Sequence, residues 1–493
     1  MSQQVRGASR TASEGGMARS SLQNRIGSAL GSGSTRFGVF VAFVLLVGLS
    51  GGSSRPDIAG LMLLRPAAVL FLVYALSVAT AEELRSARMP ILIVVALMLL
   101  CIVQLIPLPS EIWTALPGRA AVAEASSQIG MAGLARPVSL DPSRTWNTFF
   151  ALFVPLAAIC LVAIQAPSYR GRILPCLIFL GLLSAAIGYL QLVGSGSLQL
   201  YEVSHKNAPI GLFANKNHQS VLIVWLMLAV CWVASNSHSR TRTGNALFAS
   251  SVAALLLLLP LLLLSRSRAG LLISFPGLLI CFWLLMRSSN VNMILERSKV
   301  AARLVVTGIG LVLFLPLSFL VGALLFSGRD TAVSRFFERD AGEDLRWIYL
   351  ENFLRMAQDF LPIGSGFGSF QSVFNMYEPT DMLTDSYMNQ AHNDPVQLLI
   401  EGGIPGVAIL AAGLCWFGWA VWRLWRSRQP RSRSAAVFFA GSLALWLMAS
   451  VVDYPLRTPL VGMLVGALTA HLSFLSSARN LDRAQLSDAN RCT

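Results

Sequence analysis

The chain is poor in charge. Only 13% of its 493 residues are Asp, Glu, Lys or Arg, against about 25% in a typical soluble domain, which excludes an ordinary soluble fold. Local signatures of several enzyme classes are also missing. There is no HExxH, no Walker A loop and no GxGxxG after a strand, so zinc-protease, P-loop and dinucleotide readings have no starting point. The seven cysteines, Cys101, Cys160, Cys176, Cys231, Cys281, Cys415 and Cys492, show no CxxC spacing, and all but the last lie in apolar runs. They read as small core residues, not as a metal site or a disulfide framework. Lys and Arg outnumber Asp and Glu 38 to 24, a net charge of +14. No aromatic-basic motif accompanies that charge, which argues against a nucleic-acid partner.

Apolar runs are what the chain has in abundance. Hydrophobic residues make up 55% of it, in stretches long enough to cross a hydrocarbon core, which takes about 20 helical residues. None alternates as a barrel strand would. The reading is an all-α polytopic membrane protein with about twelve spans, near 37–54, 58–81, 91–109, 146–166, 173–193, 219–235, 246–264, 270–286, 304–327, 396–422, 435–452 and 458–476. Residues 37–476 form the membrane domain, and 328–393 a large loop between the ninth and tenth helices. The Ser/Gly/Arg-rich segment 1–36 reads as a disordered cytoplasmic tail, too long for the basic region of a cleaved signal peptide, and 477–493 as a second cytoplasmic tail.

With the N-terminus inside, the cytoplasmic loops collect Arg85, Arg88, Arg170, Arg172, Arg240, Arg242, Arg287, Arg297, Lys299, Arg303 and the arginines of "RLWRSRQPRSR". That distribution obeys the positive-inside rule and places these cations against anionic headgroups. Cations nevertheless persist on the other side in three places: "GLFANKNHQS" with Lys216, "LLLLSRSRAGLL" with Arg266 and Arg268, and the long loop with Arg335, Arg339, Arg346, Arg355 and His392. Charge at a membrane edge is costly enough to suggest function. Arg266 and Arg268 either snorkel to headgroups or hold an anion, and Lys216 either anchors the interface or does the same.

"AHNDPVQLLIEGGIPG" is the densest of these stretches. Asn393 or Asp394 can cap a helix, Pro395 suits its first turn, and Gly402, Gly403 and Pro405 interrupt it after nearly two turns. The expectation is a short helix kinked into a span, its N-terminus favouring an anion, with His392 beside that end. Gln397 and Glu401, four apart, share a face. Upstream, Leu345, Tyr349, Phe353, Met356 and Phe360 have helical spacing and predict an amphipathic helix on the membrane surface or on the bundle. Gly364, Gly366 and Gly368 follow, either as a tight turn or as amides that approach phosphate. Tyr377, Asp381 and Asp385 stand where carbohydrate could be recognised.

Five motifs in this order, "GLFANKNHQ", "SRSRAG", "DLRW…LPIGSGFGSF", "AHNDPVQLLIEGGIPG" and "VVDYPLRTP", with "RPVSLDPSRTW" before the fourth span, resemble the O-antigen ligase and Wzy-type polysaccharide polymerase family. That resemblance implies a GT-C-like bacterial inner-membrane glycosyltransferase. It would move a glycan from undecaprenyl diphosphate to an acceptor hydroxyl at the periplasmic face, with no cofactor and no metal, inverting the anomeric centre. By position it implies His392 as catalytic base, with Glu401 orienting it or serving the kink. It also implies Arg268, Arg266, Lys216 and Arg346 at the donor diphosphate. The wording of "SLDP", "NKNH" and "DYPLRTP" is more similar to exopolysaccharide or capsule polymerases, whose partners would include a chain-length regulator. Ligation to lipid A core and transfer to protein Ser or Thr are the alternatives within the family. A lipid-linked oligosaccharide flippase is the alternative outside it, and would call for two similar halves that this chain does not display.

Overall fold

The computed structural model describes residues 29–194, 198–205, 208–237, 241–297, 348–380 and 388–477, with isolated positions between 300 and 322. The spans are α1 (Gly33–Ser50), α2 (Gly60–Val78), α3 (Arg88–Leu105), α4 and α5 (Pro142–Ala151 and Phe153–Ala163, one crossing with a break at Leu152), α6 (Ile173–Val193), α7 (Lys216–Ser235), α8 (Arg242–Leu264) and α9 (Arg268–Met286). After α10 (Leu350–Phe360) come α11 (Asp394–Arg426), α12 (Pro430–Val452) and α13 (Pro459–Leu475). Among the described residues ten crossings are long and apolar enough to span a membrane, and α13 is a shorter apolar helix. The chain is therefore an all-α polytopic membrane protein. The expected span at 304–327 lies mostly outside the described residues, as do most of the two tails and the first part of the large loop. α1 starts earlier than predicted, because Ser32 caps it and Arg36 pairs with Glu83 at 2.6 Å and donates to the Val78 carbonyl.

α7 is the central helix: 83% of its span is buried, against 28–56% for the other long spans. It packs most extensively on α9, while α13 packs on α5. Gly270 makes the first of these contacts possible, since a Cβ there would meet the Ser220 Cβ at 2.3 Å.

Because the spans alternate in direction, one end of the bundle gathers the starts of α2, α7, α9, α11 and α13 with the ends of α1, α3, α8 and α12. A cap of loop segments covers part of that end. Pro107–Leu108 pairs antiparallel with Arg136–Pro137. The Arg119 guanidinium, 1% exposed, donates to the carbonyls of Val138 (2.6 Å) and Gly364 (3.0 Å) and lies over the Phe360 ring at 5.2 Å. Burial lowers its pKa to about 10, so it stays charged at neutral pH. The amphipathic helix predicted from the loop is α10, and it packs on the bundle: Phe353, Met356 and Phe360 join Phe370, Phe374 and Ile400 in a buried cluster.

Candidate active site

The sequence motifs meet at this end, one hydrogen bond at a time. Ser265 and Ser267, flanking Arg266, tie the α8–α9 hairpin to α7: Ser220 donates to the Ser265 hydroxyl at 2.9 Å, and Ser267 donates to Asn217 Oδ1 at 2.7 Å. Asn217 then donates to Asp453 Oδ2 at 2.8 Å, with Asn215 at 3.3 Å. Asp453 follows the last turn of α12 and is 2% exposed. Its other oxygen accepts from the Tyr454 amide at 3.0 Å and faces His392 Nδ1 at 3.2 Å.

The ring of Tyr454 stands edge-on to His392 (4.6 Å between centroids) and to His218 (5.3 Å). His218 is 1% exposed. Its Nε2 lies 3.8 Å from Asp453 Oδ1, within ion-pair range but too long for a hydrogen bond. Burial alone would push the Asp453 carboxyl up, but the two imidazoles outweigh it and hold the carboxyl well below the usual range. Asp453 is thus a carboxylate at neutral pH and can only accept hydrogen bonds, so His392 Nδ1 carries the proton. The Nε2 of His392 has no hydrogen-bond partner among the described residues.

Backbone strain marks the same place. Among the described non-glycine residues only Arg266 (φ 54°) and His392 (φ 52°) have positive φ. Such conformations cost about 1 kcal/mol or more and collect at functional sites.

The predicted cap and kink are present. Asn393 caps α11 through the Val396 amide, and the helix breaks at Gly403, φ 57° and ψ −156°. Glu401 shares a face with Gln397, which donates to it at 3.0 Å. The partners of Glu401 are the Phe370 amide (3.2 Å) and Arg457 Nη1 (3.3 Å), not His392. Arg457 Nε also holds Asp394 at 2.9 Å. Glu401 thus fastens the loop and the "DYPLRTP" segment to the short helix, which is the kink-serving alternative, and the carboxylate in contact with His392 is that of Asp453.

The glycine loop belongs to the same fastening. The amides of Gly364, Ser365, Gly366 and Phe367 donate to Phe360 O, Ile400 O, Glu401 O and Gln104 Oε1. A Cβ on Gly364 would meet the Glu401 carbonyl oxygen at 2.5 Å. All three glycines sit in close packing, and the amides of Gly364 and Gly366 are engaged within the protein and not open to a phosphate. "SLDPSRTW" docks here as well, with Thr145 donating to Phe367 O at 2.7 Å.

Of the residues singled out in the sequence, Lys216 opens α7, Arg266 and Arg268 flank Ser267, and His392 and Glu401 lie at the start of α11. Arg346, Arg335, Arg339, Asp381 and Asp385 lie outside the described residues. Tyr377 is placed in the cap, donating to Asp359 at 2.9 Å. Asp453, Asn217, His218 and Arg457 were not singled out, although two of the quoted motifs contain them. No group of three His, Cys, Asp or Glu side chains among the described residues is arranged to hold a metal ion.

Residues 253–411, about a third of the chain, match the family model described as O-antigen ligase. No curated protein matches the chain. The family match supports the O-antigen ligase and Wzy-type family, and with it membrane glycosyltransferase activity of the ligase or polymerase kind.

Proposed function

We propose that the protein transfers a glycan from undecaprenyl diphosphate to the hydroxyl of an acceptor sugar, at the periplasmic face of a bacterial inner membrane. The reading rests on one observation above the others, the 3.2 Å contact between His392 Nδ1 and Asp453. A carboxylate that fixes the tautomer and orientation of an imidazole is the arrangement by which a weak hydroxyl nucleophile is activated. The acceptor O–H gives its proton to His392 Nε2 as its oxygen forms a bond to the anomeric carbon. The bond from that carbon to the diphosphate oxygen breaks on the opposite face, inverting the centre, and its electron pair leaves with undecaprenyl diphosphate. Arg268, Arg266 and Lys216 are the groups to balance the charge that grows there, guanidinium forks being suited to phosphate oxygens and never deprotonated. No metal is required in this scheme.

The arginine-rich end of the bundle, with Arg85, Arg88, Arg170, Arg172, Arg287 and Arg423, is the cytoplasmic end in this account, by the positive-inside rule. The His392 end is then periplasmic. Polymerase is the favoured member of the family, on the wording of the "SLDP" and "DYPLRTP" segments. Ligation to lipid A core is the second reading, favoured by the family description that matches. Purified protein given undecaprenyl-diphosphate oligosaccharide as its sole glycan separates them. Extension on the lipid carrier supports polymerase, and product formed only with added lipid A core supports ligase.

A further inference from the structure

A cavity of about 390 Å³ opens among α2, α3, α4, α11 and α13, away from the hairpin that carries Arg266 and Arg268; no residue of α7, α8 or α9 lines it. Its wall is apolar, with Leu64, Leu97 and Leu410 from three different spans. Met62 and Leu92, on two of the same helices, are exposed at 78% and 56%, as lipid-facing positions of a span are. Four arginines, Arg55, Arg65, Arg144 and Arg457, also line it.

Arg65 is the sixth residue of α2, about 8 Å along the helix at 1.5 Å per residue. A cation at that depth is costly unless something answers it. Its Nε is buried and without a hydrogen-bond partner among the described residues. Arg144 donates to the neutral Gln371 at 3.0 Å. Asp57 compensates Arg55 at 2.6 Å, and Arg457, which also lines the cavity, is compensated by Asp394 and Glu401. Among the described residues neither Arg65 nor Arg144 has a carboxylate within ion-pair distance, although Asp141 and Asp57 lie near enough to Arg144 to feel its charge, and both guanidiniums stand on a wall that is mostly apolar.

The cavity also comes near the candidate catalytic group. Ser53, Ser54 and Arg55 line both it and a smaller pocket of about 240 Å³ beside His218, Asn389 and Tyr454. Asp394, two residues from His392, lies on the cavity wall itself.

We propose that this cavity is a second lipid site, which takes the polyprenyl-diphosphate end of the acceptor glycan. Arg65 and Arg144 hold the diphosphate, whose charge they match and which exceeds that of an ordinary phospholipid. The prenyl chain lies along the Leu64, Leu97 and Leu410 wall, and the glycan passes residues 53–55 toward His392. The inference rests on the glycosyl-transfer reading and sharpens it, since a diphosphate lipid on the acceptor side is what a polymerase needs.

The test is equilibrium binding of radiolabelled undecaprenyl diphosphate, without glycan, to the full-length protein in a neutral-lipid nanodisc. Two molecules should bind per wild-type protein. The Arg65→Gln, Arg144→Gln double variant should bind one, and Arg268→Ala should keep the cavity-bound molecule. Arg65→Lys, which retains the charge and guards against a folding artefact, should weaken the cavity class roughly tenfold, because lysine lacks the two-pronged geometry. Equal stoichiometry in wild type and double variant would overturn the proposal, as would full binding by Arg65→Lys, the result expected of a snorkelling anchor. Displacement by phosphatidylglycerol or by lipid A core at lower concentration than by undecaprenyl diphosphate would also overturn it. Failure of the wild-type protein to transfer any glycan would remove the enzymatic reading while leaving the count of bound lipids to stand or fall separately.

Discussion

His392 Nδ1 and Asp453 Oδ1 lie 3.2 Å apart across 61 positions of sequence, and the second oxygen of the same carboxylate is held by Asn217 at 2.8 Å. One buried carboxylate thus joins the loop before α11, the turn after α12 and the start of α7. Through Ser267 it also reaches the hairpin of Arg266 and Arg268.

Asp453→Asn should leave His392 in place but free to adopt the wrong tautomer. Transfer should fall by about two to four orders of magnitude, with the affinity for the lipid-linked donor little changed. Steady-state transfer rates and donor binding on purified protein check this. An unchanged rate would make the carboxylate merely structural.

The depressed Asp453 carboxyl gives stability a defined pH dependence. A carboxyl whose folded pKa lies below its unfolded value of about 3.9 contributes stability fully above that value, and the contribution is lost as pH falls through the folded pKa. Thermal unfolding in detergent from pH 7 down to pH 3 should therefore show an acid-side loss of stability. Part of that loss should disappear in Asp453→Asn.

Arg268→Lys should lose most activity while the protein remains inserted, since lysine keeps the charge but not the bidentate geometry. A normal rate of product formation would assign Arg268 to headgroup anchoring.

Gly403→Ala should disrupt the helix break. Its φ of 57° with ψ of −156° is nearly exclusive to glycine, and a Cβ there would meet the Pro362 carbonyl oxygen at 2.4 Å. Gly418→Ala on the same helix, with nothing within 4 Å of its Cβ, should stay within about 0.5 kcal/mol of wild type. Comparing folded yield and unfolding temperature of the pair isolates the kink from the substitution.

The spans were legible because hydrocarbon thickness sets a length that composition reveals directly. The Gly402–Pro405 break and the α10 stripe were legible because turn chemistry and helical period are local. Asp453 was not, because it follows an apolar run as any helix-ending polar residue does, and its value comes from His392 and Asn217, which only the fold brings to it. Glu401 shows the converse: its helical register with Gln397 was correctly read, but register does not say which partner lies across the gap, and that partner is Arg457. Arg119 went unnoticed for the same reason, its burial depending on carbonyls of Val138 and Gly364.

The most direct measurement is made on His392→Ala, following donor binding and glycan extension together with purified protein and undecaprenyl-diphosphate oligosaccharide. If His392 Nε2 takes the acceptor's proton, binding should persist, because other groups supply that affinity, while extension falls by about two to four orders of magnitude. Extension at the wild-type rate would contradict the account and leave His392 as a structural hydrogen-bonding group at the start of α11.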